Sequence, residues 1–253
     1  MRIFCVVGAR RGVGKTRLIE KLVKELKKRK IKVSTVKHTM EEIDIRSKDT
    51  SRHLNAGADV VMAISPKYAA LFIRETNLHH LISKYMPKRG LIIIEGFRST
   101  EYPKIIVAEA EEDLKIEGLK GEVIAIVCRN PSLASKLKKD LEKPVFQYDQ
   151  IPLLAELILN RAIKGLADKL PGLNCGLCGY SKCLDYAKAI VHGEASLGEC
   201  ALIKRVKVEI DGEKLVLKPF VENSIARVIE GYLSSLKGFK REFKKITITI
   251  ECE

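Results

Sequence analysis

The sequence predicts an α/β protein with a mainly parallel sheet, followed by two smaller regions. Three observations support this fold class. An apolar strand near the N-terminus runs directly into a glycine-rich loop, short apolar runs then alternate with helical stretches, and four cysteines lie close together in the second half. Of the 253 residues, 46% are hydrophobic, which is enough for a large core.

The first strand is predicted over residues 2–7, and an amphipathic helix follows the glycine-rich loop. Backbone N–H groups of such a loop surround an anionic oxygen, and the helix N-terminus adds partial positive charge. In this motif Lys15 contacts the β- and γ-phosphates and the Thr16 hydroxyl ligates Mg²⁺. We therefore predict a P-loop that binds a nucleoside triphosphate. The predicted nucleotide-binding residues are Arg10, Arg11, Gly12, Val13, Gly14, Lys15, Thr16 and Arg17.

The loop departs from the strict pattern G-x-x-x-x-G-K-[ST], because Ala9 occupies the first glycine position. It also resembles the deviant Walker loop K-G-G-x-G-K-T of dimerising nucleotide switches. In that alignment Arg10 takes the place of the signature lysine and Arg11 replaces a glycine. Arg10 would then contact phosphate across a dimer interface or remain in solvent, and the sequence leaves both open.

Seven further strands and a helix complete the predicted first domain. The strands cover residues 32–37, 60–64, 69–74, 91–95, 105–108, 123–128 and 144–146, and the helix covers 152–164. Residues 91–94 form a continuous apolar run, as expected for a central strand covered on both faces. Parallel strands present functional groups at their carboxyl ends.

Glu95 ends this central strand, so we predict that it holds the Mg²⁺ water shell or polarises an attacking water. Lys15 and Glu95 are the predicted catalytic residues. Asp44 is a candidate magnesium ligand beside Thr16, because Mg²⁺ needs only one or two carboxylates. His38 is a candidate by its position after a strand.

Residues 1–160 resemble molybdopterin-guanine dinucleotide biosynthesis protein B, the MobB family. Five stretches carry the resemblance: Gly12 to Thr16; Val36-Lys37-His38-Thr39; Asp49 to His53 with Ala56-Gly57-Ala58; Glu95-Gly96-Phe97-Arg98; and Pro103-Lys104-Ile105. The resemblance implies a dimer that binds GTP, hydrolyses it weakly and assists attachment of GMP to molybdopterin.

The resemblance also implies pterin or phosphate contacts from Lys37, His38, Asp49, Arg52 and Lys104. The family's acidic, histidine-rich stretch is shortened here to residues 40–46, with Arg46 where a second aspartate is usual. No N-K-x-D motif is present, so preference for GTP over ATP rests on the resemblance.

Four cysteines form the pattern C-x2-C-x4-C-x16-C: Cys175, Cys178, Cys183 and Cys200. Three thiolates from a tight glycine-containing loop and one distant thiolate suit a [4Fe–4S] cluster. Zinc is the competing interpretation, although a zinc ribbon usually has two C-x2-C pairs. The run L-P-G-x-N-C-G-x-C-G is similar to the four-iron domain of RnfB-type electron-transfer subunits and corrinoid iron–sulfur proteins. Cys5, Cys128 and Cys252 are predicted to be buried inert thiols.

The predicted domains are 1–164, which binds nucleotide; 165–205, which holds the cluster; and 206–253, a small α+β element. The last consists of a hairpin over 206–210 and 214–217, a helix over 222–236 and a strand over 246–250. A helix over 184–192 is expected between Cys183 and Cys200.

The formal net charge of +14 favours anionic partners, yet no nucleic-acid-binding signature is present. No apolar run is long enough to span a membrane, and the P-loop strand follows the first residue without a signal peptide, so we expect a cytoplasmic protein.

Two functions remain open. The first is a GTPase of molybdenum or tungsten cofactor maturation that forms a homodimer and acts with molybdopterin guanylyltransferase or a molybdo- or tungstoenzyme. The second is a nucleotide-gated iron–sulfur carrier or electron-transfer protein. The expected cofactors are GTP or ATP, Mg²⁺ and a [4Fe–4S] cluster.

Overall fold

A six-stranded, fully parallel sheet forms the centre of the protein, with the strand order β2-β5-β1-β6-β7-β8. The computed structural model describes residues 2–39, 43, 48–200, 206, 208–215, 217, 219–239 and 246–250. The strands of this sheet are β1 (Ile3–Val7), β2 (Val33–Lys37), β5 (Leu91–Glu95), β6 (Lys104–Ala108), β7 (Val123–Cys128) and β8 (Val145–Gln147). The predicted α/β class is confirmed.

Alternating side chains of the central strands point to two separate helical layers. Phe4 and Val6 of β1 pack with α1 (Lys15–Lys28) and α5 (Ile151–Ala167). Cys5 and Val7 face α3 (Leu78–Tyr85) and α4 (Pro131–Asp140) on the other side. Leu91 to Ile94 are completely buried, because helices cover both faces of this strand.

Two of the predicted strands lie outside the parallel sheet. β3 (Val60–Ile64) and β4 (Ala69–Ile73) pair with each other in an antiparallel hairpin, after the short helix α2 (Lys48–Asn55). Their assignment to the parallel sheet was wrong, because only four residues separate them and a parallel connection needs a longer crossover. The hairpin exposes Val60, Met62, Ile64 and Tyr68.

The cysteine-containing region packs against the same core as the parallel sheet and its helices. Helix α6 (Cys183–His192) contacts α5, and Tyr186, Ile190 and Val191 belong to the cluster formed by α1, α5 and the sheet. The predicted border at residue 164 falls inside α5, which continues to Ala167.

This region is attached at the amino ends of the strands. Gly90 N–H, immediately before β5, donates to the Ile190 carbonyl at 2.7 Å, and Leu197 N–H donates to Lys88 at 3.2 Å. Gly90 has a φ of 72°, and a Cβ there would lie 2.2 Å from the Lys32 carbonyl oxygen, so this junction requires glycine.

The C-terminal part contains a hairpin of β9 (Val208–Ile210) and β10 (Glu213–Leu215), then α7 (Pro219–Ser234). Asp211 and Gly212 form its two-residue turn with positive φ angles, as expected for a tight hairpin. The strand predicted over 246–250 was wrong: these residues are in no strand, and Ile250 is 82% exposed. Residues 246–250 alternate apolar and polar side chains, as a strand does. A strand also needs a neighbouring strand to accept and donate its backbone hydrogen bonds, and the sequence pattern does not show whether one is present.

Tyr186 joins α6 to the turn that carries Cys200. Its hydroxyl donates to the Ser196 carbonyl at 2.6 Å and accepts from the amides of Glu199 and Cys200 at 3.1 Å. Tyr186→Phe leaves those amides without their acceptor, so we expect the free energy of unfolding to fall by about 1–3 kcal/mol.

Urea unfolding monitored by circular dichroism measures this change. Tyr232→Phe is the control, because Tyr232 is 76% exposed. Equal stability of the two variants would contradict the role given to the Tyr186 hydroxyl.

Candidate functional site

The glycine-rich loop connects β1 to α1 at the carboxyl edge of the sheet. Gly12 and Gly14 have φ angles of 78° and 102°, and Gly14 caps α1. Val13 is buried and anchors the loop, while Lys15 and Thr16 open the helix. The predicted strand–loop–helix arrangement is present, with the helix N-terminus at the loop.

Thr16 and Glu95 meet at the mouth of this loop. The Thr16 hydroxyl donates to Glu95 Oε1 at 2.9 Å, although the residues are 79 positions apart. A hydroxyl and a carboxylate are oxygen ligands of the kind that Mg²⁺ prefers. The Lys15 ammonium donates to the Arg10 carbonyl at 2.9 Å, so it lies against the loop that would surround a phosphate.

Arg10 is held within its own chain. Its guanidinium donates to both oxygens of Asp113 at 2.8 and 3.2 Å and lies 3.6 Å from Glu109. The hydrogen bond from Arg10 lowers the pKa of Asp113, and the amides of Glu109 and Ala110 act in the same direction against the effect of burial. The Arg10 side chain is nevertheless 56% exposed, and its predicted phosphate contact stays a prediction.

Lys37 and His38 follow at the carboxyl end of β2, beside Glu95. The His38 amide donates to the Glu95 carbonyl at 2.9 Å, and its ring stacks on Phe97 with centroids 4.3 Å apart. A groove of about 410 Å³ runs from Thr16 and Glu95 along α1 and β2. Its lining combines apolar, basic and acidic residues, which are Ile19, Val23 and Val36, Lys24 and Lys37, and Glu20 and Glu95.

Asp49 and Arg52 lie on α2, away from this groove. Their side chains are exposed and 3.8 Å apart, and α2 packs on β3 of the outer hairpin. Within the described part of the chain, no hydrogen bond or ion pair joins either residue to Thr16 or Glu95. Asp44 lies outside the described residues.

Lys104 does not fit the predicted contact with a pterin or phosphate. It is completely buried, and its ammonium donates to the Thr100 carbonyl, the Thr100 hydroxyl and the Tyr102 carbonyl at 2.6, 2.9 and 2.8 Å. Because these oxygens use all three donors, Lys104 has none for a ligand. The sequence could not reveal this, since a lysine at the start of an apolar strand is usually solvated.

The four cysteines of the C-x2-C-x4-C-x16-C pattern differ in exposure. Cys200 is buried, Cys178 and Cys183 pack against the core cluster, and Cys175 is exposed. The side-chain oxygen of Asn174 accepts a hydrogen bond from the Cys183 amide at 2.9 Å. The rings of Tyr180 and Tyr186 pack together with their centroids 5.5 Å apart. Tyr186 in turn holds Cys200, so the loop and the distant cysteine are linked.

The four thiols are the kind of donor that an iron–sulfur cluster requires. Among the described residues, no three His, Cys, Asp or Glu side chains are already arranged to hold a metal ion. Gly172, Gly176 and Gly179 have positive φ angles and open space beside them, so the loop has room for a bulky group.

Cys5 and Cys128 are the buried thiols predicted from the sequence. Burial raises the pKa of both thiols, to about 11 for Cys128, so both are protonated and unreactive near neutral pH. Cys252 lies outside the described residues.

The sequence analysis missed Tyr148. It follows β8, and its hydroxyl donates to the Gly14 carbonyl at 2.9 Å, which links the last strand of the sheet to the P-loop. The only signal was its position at the carboxyl end of a short strand, where parallel sheets place ligand-binding groups.

Comparison with known proteins agrees with this architecture. Residues 3–129, half of the chain, match the family described as "Molybdopterin guanine dinucleotide synthesis protein B". The chain belongs to the MobB family. Residues 170–201 match a second family, described as "Putative Fe-S cluster", which supports an iron–sulfur cluster in this region. None of the helices described above has both the length and the apolar composition needed to cross a bilayer.

A MobB-family relative from Methanocaldococcus jannaschii, named "Putative molybdopterin-guanine dinucleotide biosynthesis adapter protein", is 29% identical over 94% of this chain and 93% of its own. A Bacillus subtilis protein named "Probable molybdopterin-guanine dinucleotide biosynthesis adapter protein" is 30% identical over 60% of this chain and 88% of its own. The crystal structure of Bacillus subtilis MobB superposes with a TM-score of 0.51 and 27% identity, covering 64% of this chain and 98% of that one.

The Arg10–Asp113 pair predicts a pH-dependent loss of stability. Arg10→Gln removes the main cause of the lowered Asp113 pKa, so the variant is less stable than the wild type near neutral pH. A lowered carboxyl pKa stabilises the folded state above the ordinary value of 3.8. The difference in stability therefore shrinks as the pH falls through and below that value.

Urea unfolding at a series of pH values measures this difference. Lys136→Gln is the control, because Lys136 pairs with Glu111 nearby and both side chains are half exposed. If the free energies of unfolding of Arg10→Gln and the wild type differed by the same amount at every acidic pH, Arg10 would not be the cause of the lowered Asp113 pKa.

Proposed function

We propose that this chain is a GTP-binding, weakly hydrolysing accessory protein in the biosynthesis of molybdopterin guanine dinucleotide, for molybdenum or tungsten enzymes. The contact between Thr16 and Glu95 carries the proposal. It places a hydroxyl and a carboxylate together at the P-loop of a MobB-family chain. The named biosynthetic relatives support the pathway.

In this proposal the Lys15 ammonium breaks its hydrogen bond to the Arg10 carbonyl when nucleotide binds and donates to the β- and γ-phosphates instead. Thr16 and Glu95 hold Mg²⁺, which neutralises phosphate charge when it is bound. Glu95 also orients the attacking water. Slow hydrolysis is consistent with Arg10, because Asp113 holds its guanidinium away from a position where it could neutralise charge on the transferred phosphoryl group.

The groove between α1 and β2 is the proposed site of the phosphorylated pterin. Its volume of about 410 Å³ is within the range of small-molecule sites, and its apolar residues and two lysines suit a flat ring that carries phosphate, with Glu20 also in the lining. Lys37 lines the groove, and His38 follows Lys37, with its amide donating to the Glu95 carbonyl. We assign the pterin contact to these two residues, while Asp49 and Arg52 remain weaker candidates because they lie on α2.

The outer hairpin of β3 and β4 supports the proposed homodimer. It exposes several large apolar side chains, and a second groove of about 460 Å³ lies between α2 and β3. Exposed apolar patches of this kind are typical of protein–protein interfaces. Molybdopterin guanylyltransferase or a molybdo- or tungstoenzyme is the proposed partner in the pathway.

A second candidate function is a nucleotide-gated iron–sulfur carrier or electron-transfer protein. One observation favours it: the cysteine region lies at the amino edge of the sheet, whereas the P-loop lies at the carboxyl edge. Cys175, Leu173 and Leu177 are exposed, so a partner could approach the proposed [4Fe–4S] cluster without contacting the nucleotide.

Lys15→Ala tests nucleotide binding. Removal of the ammonium eliminates a charge-assisted phosphate contact, so triphosphate affinity should fall by roughly tenfold or more in isothermal titration calorimetry. Lys28→Ala is the control, since Lys28 is exposed at the other end of α1. Unchanged triphosphate affinity in Lys15→Ala would reject the P-loop assignment. The same titrations compare nucleotides: the wild type should bind GTP more tightly than ATP, and equal affinities would favour the carrier function.

Cys178→Ala tests the cluster. Protein prepared anaerobically should be brown and contain about four iron and four sulfide per chain. The variant should lose the cluster and loosen residues 168–200, because metal binding and local folding are coupled, yet still bind nucleotide. Iron and sulfide analysis with hydrogen exchange measures both effects.

Cys128→Ala is the matched control, since this buried cysteine lies in β7 and should leave the iron content unchanged. A colourless wild-type preparation with one tightly bound zinc would show that the site holds zinc instead.

A further inference from the structure

Lys104 occupies an unusual place for a lysine, at the start of β6 in the middle of the sheet. It lies opposite Cys5 of β1 and is completely buried. No carboxylate forms an ion pair with it within the described part of the chain; instead, its ammonium binds three neutral oxygens of Thr100 and Tyr102. Burial lowers the pKa of this ammonium, whereas the neighbouring Cys5 thiol and the Glu101 carboxylate raise it. The three hydrogen bonds replace contacts with water whose loss makes a buried cation unfavourable.

The three oxygens belong to the loop of residues 96–103, which connects β5 to β6. Thr100 extends the contact, because its hydroxyl accepts from Lys104 and donates to the Phe97 carbonyl at 3.0 Å. Phe97 has a φ of 56°, a left-handed conformation that is strained for an aromatic residue. Lys104 and Thr100 thus hold Phe97 in a conformation that it would not adopt readily alone.

The same loop begins at the candidate magnesium site. Glu95 precedes it and accepts from Thr16, while the Gly96 amide donates to the Val6 carbonyl at 2.9 Å. At the outer surface, Phe97 stacks on His38, whose amide donates to the Glu95 carbonyl. A continuous series of contacts therefore joins Lys104 to Glu95 and to His38.

We propose that Lys104 is a positioning residue, which acts through Thr100 and Phe97 to fix the direction of Glu95 and the stacking of His38. The inference rests on the proposed function only in giving Glu95 a role at a magnesium–GTP site. Lys104 contacts no ligand itself. It holds the loop so that Glu95 can act once nucleotide binds, and it links that site to the exposed surface at the end of β2.

Lys104→Met removes the three donors but keeps a side chain of similar length. The variant should therefore affect nucleotide affinity and hydrolysis rate differently. Affinity for Mg²⁺–GTP should stay within about threefold of the wild type, while the hydrolysis rate at saturating GTP falls by roughly tenfold to a hundredfold, because Glu95 is misplaced by a small distance. A lysine that only stabilised the fold would change neither value below the unfolding temperature.

Thr100 provides a matched pair of variants if Lys104→Met folds poorly. Thr100→Val removes the hydroxyl that joins Lys104 to Phe97 and should reproduce the loss of hydrolysis. Thr100→Ser retains the hydroxyl and should restore the wild-type rate. The double variant with Lys104→Met should be no slower than either single variant, as expected for residues that act in series.

An NMR measurement tests the same relay in the nucleotide-free chain. Stacking on Phe97 should shift the ring-proton resonances of His38, and Thr100→Val should move them toward their unstacked positions. His192 is the internal control, because its ring binds the Lys188 carbonyl on α6. Unchanged His38 resonances in folded Thr100→Val and Lys104→Met, or unchanged hydrolysis in both, would overturn the proposal. If the wild type binds no GTP, the proposed function fails, and the His38 resonances alone decide the role of Lys104.

Discussion

The common direction of the six strands is the constraint on which both candidate sites depend. Because every pair in the central sheet is parallel, all carboxyl ends lie at one edge and all amino ends at the other. The P-loop, Glu95 and Tyr148 therefore meet at the carboxyl edge. The cysteine region follows α5 back to the amino edge, where Gly90 and Lys88 bind it. The two candidate sites therefore lie toward opposite edges of the sheet.

Polar contacts inside the sheet's carboxyl edge determine how the P-loop is held. Asp113 binds Arg10 from the turn after β6, and Tyr148 binds Gly14 from the turn after β8. Thr16 binds Glu95 at the end of β5. Three strands thus fix the loop through side chains that are distant in sequence. The contacts of Asp113 and Tyr148 are partly buried, and an unpaired polar group there would be destabilising, whereas the contact between Thr16 and Glu95 is exposed.

The sequence was sufficient for the features that local patterns encode. The P-loop, the central strand ending at Glu95 and the four-cysteine region follow from glycine spacing, apolar runs and thiol spacing. Local patterns do not specify long-range contacts: Lys104 was predicted to contact a pterin or phosphate, and its hydrogen bonds to Thr100 and Tyr102 were not foreseen. The pairing of Arg10 with Asp113 was not foreseen either. The outer hairpin was misplaced for a related reason, since apolar runs predict strands without specifying which strands pair.

Helix α1 is the element through which the two edges of the sheet can influence each other. It begins at Lys15, directly after its N-cap Gly14 in the P-loop, and spans 14 residues, about 20 Å at the usual helical rise. Its last buried residue, Leu26, lies in the same cluster as Ile190 of α6. Within the described part of the chain, no residue contributes a side chain to both candidate sites, but packed elements connect them. A displacement of α1 would reach the cysteine region through this shared core, because closely packed interiors transmit strain.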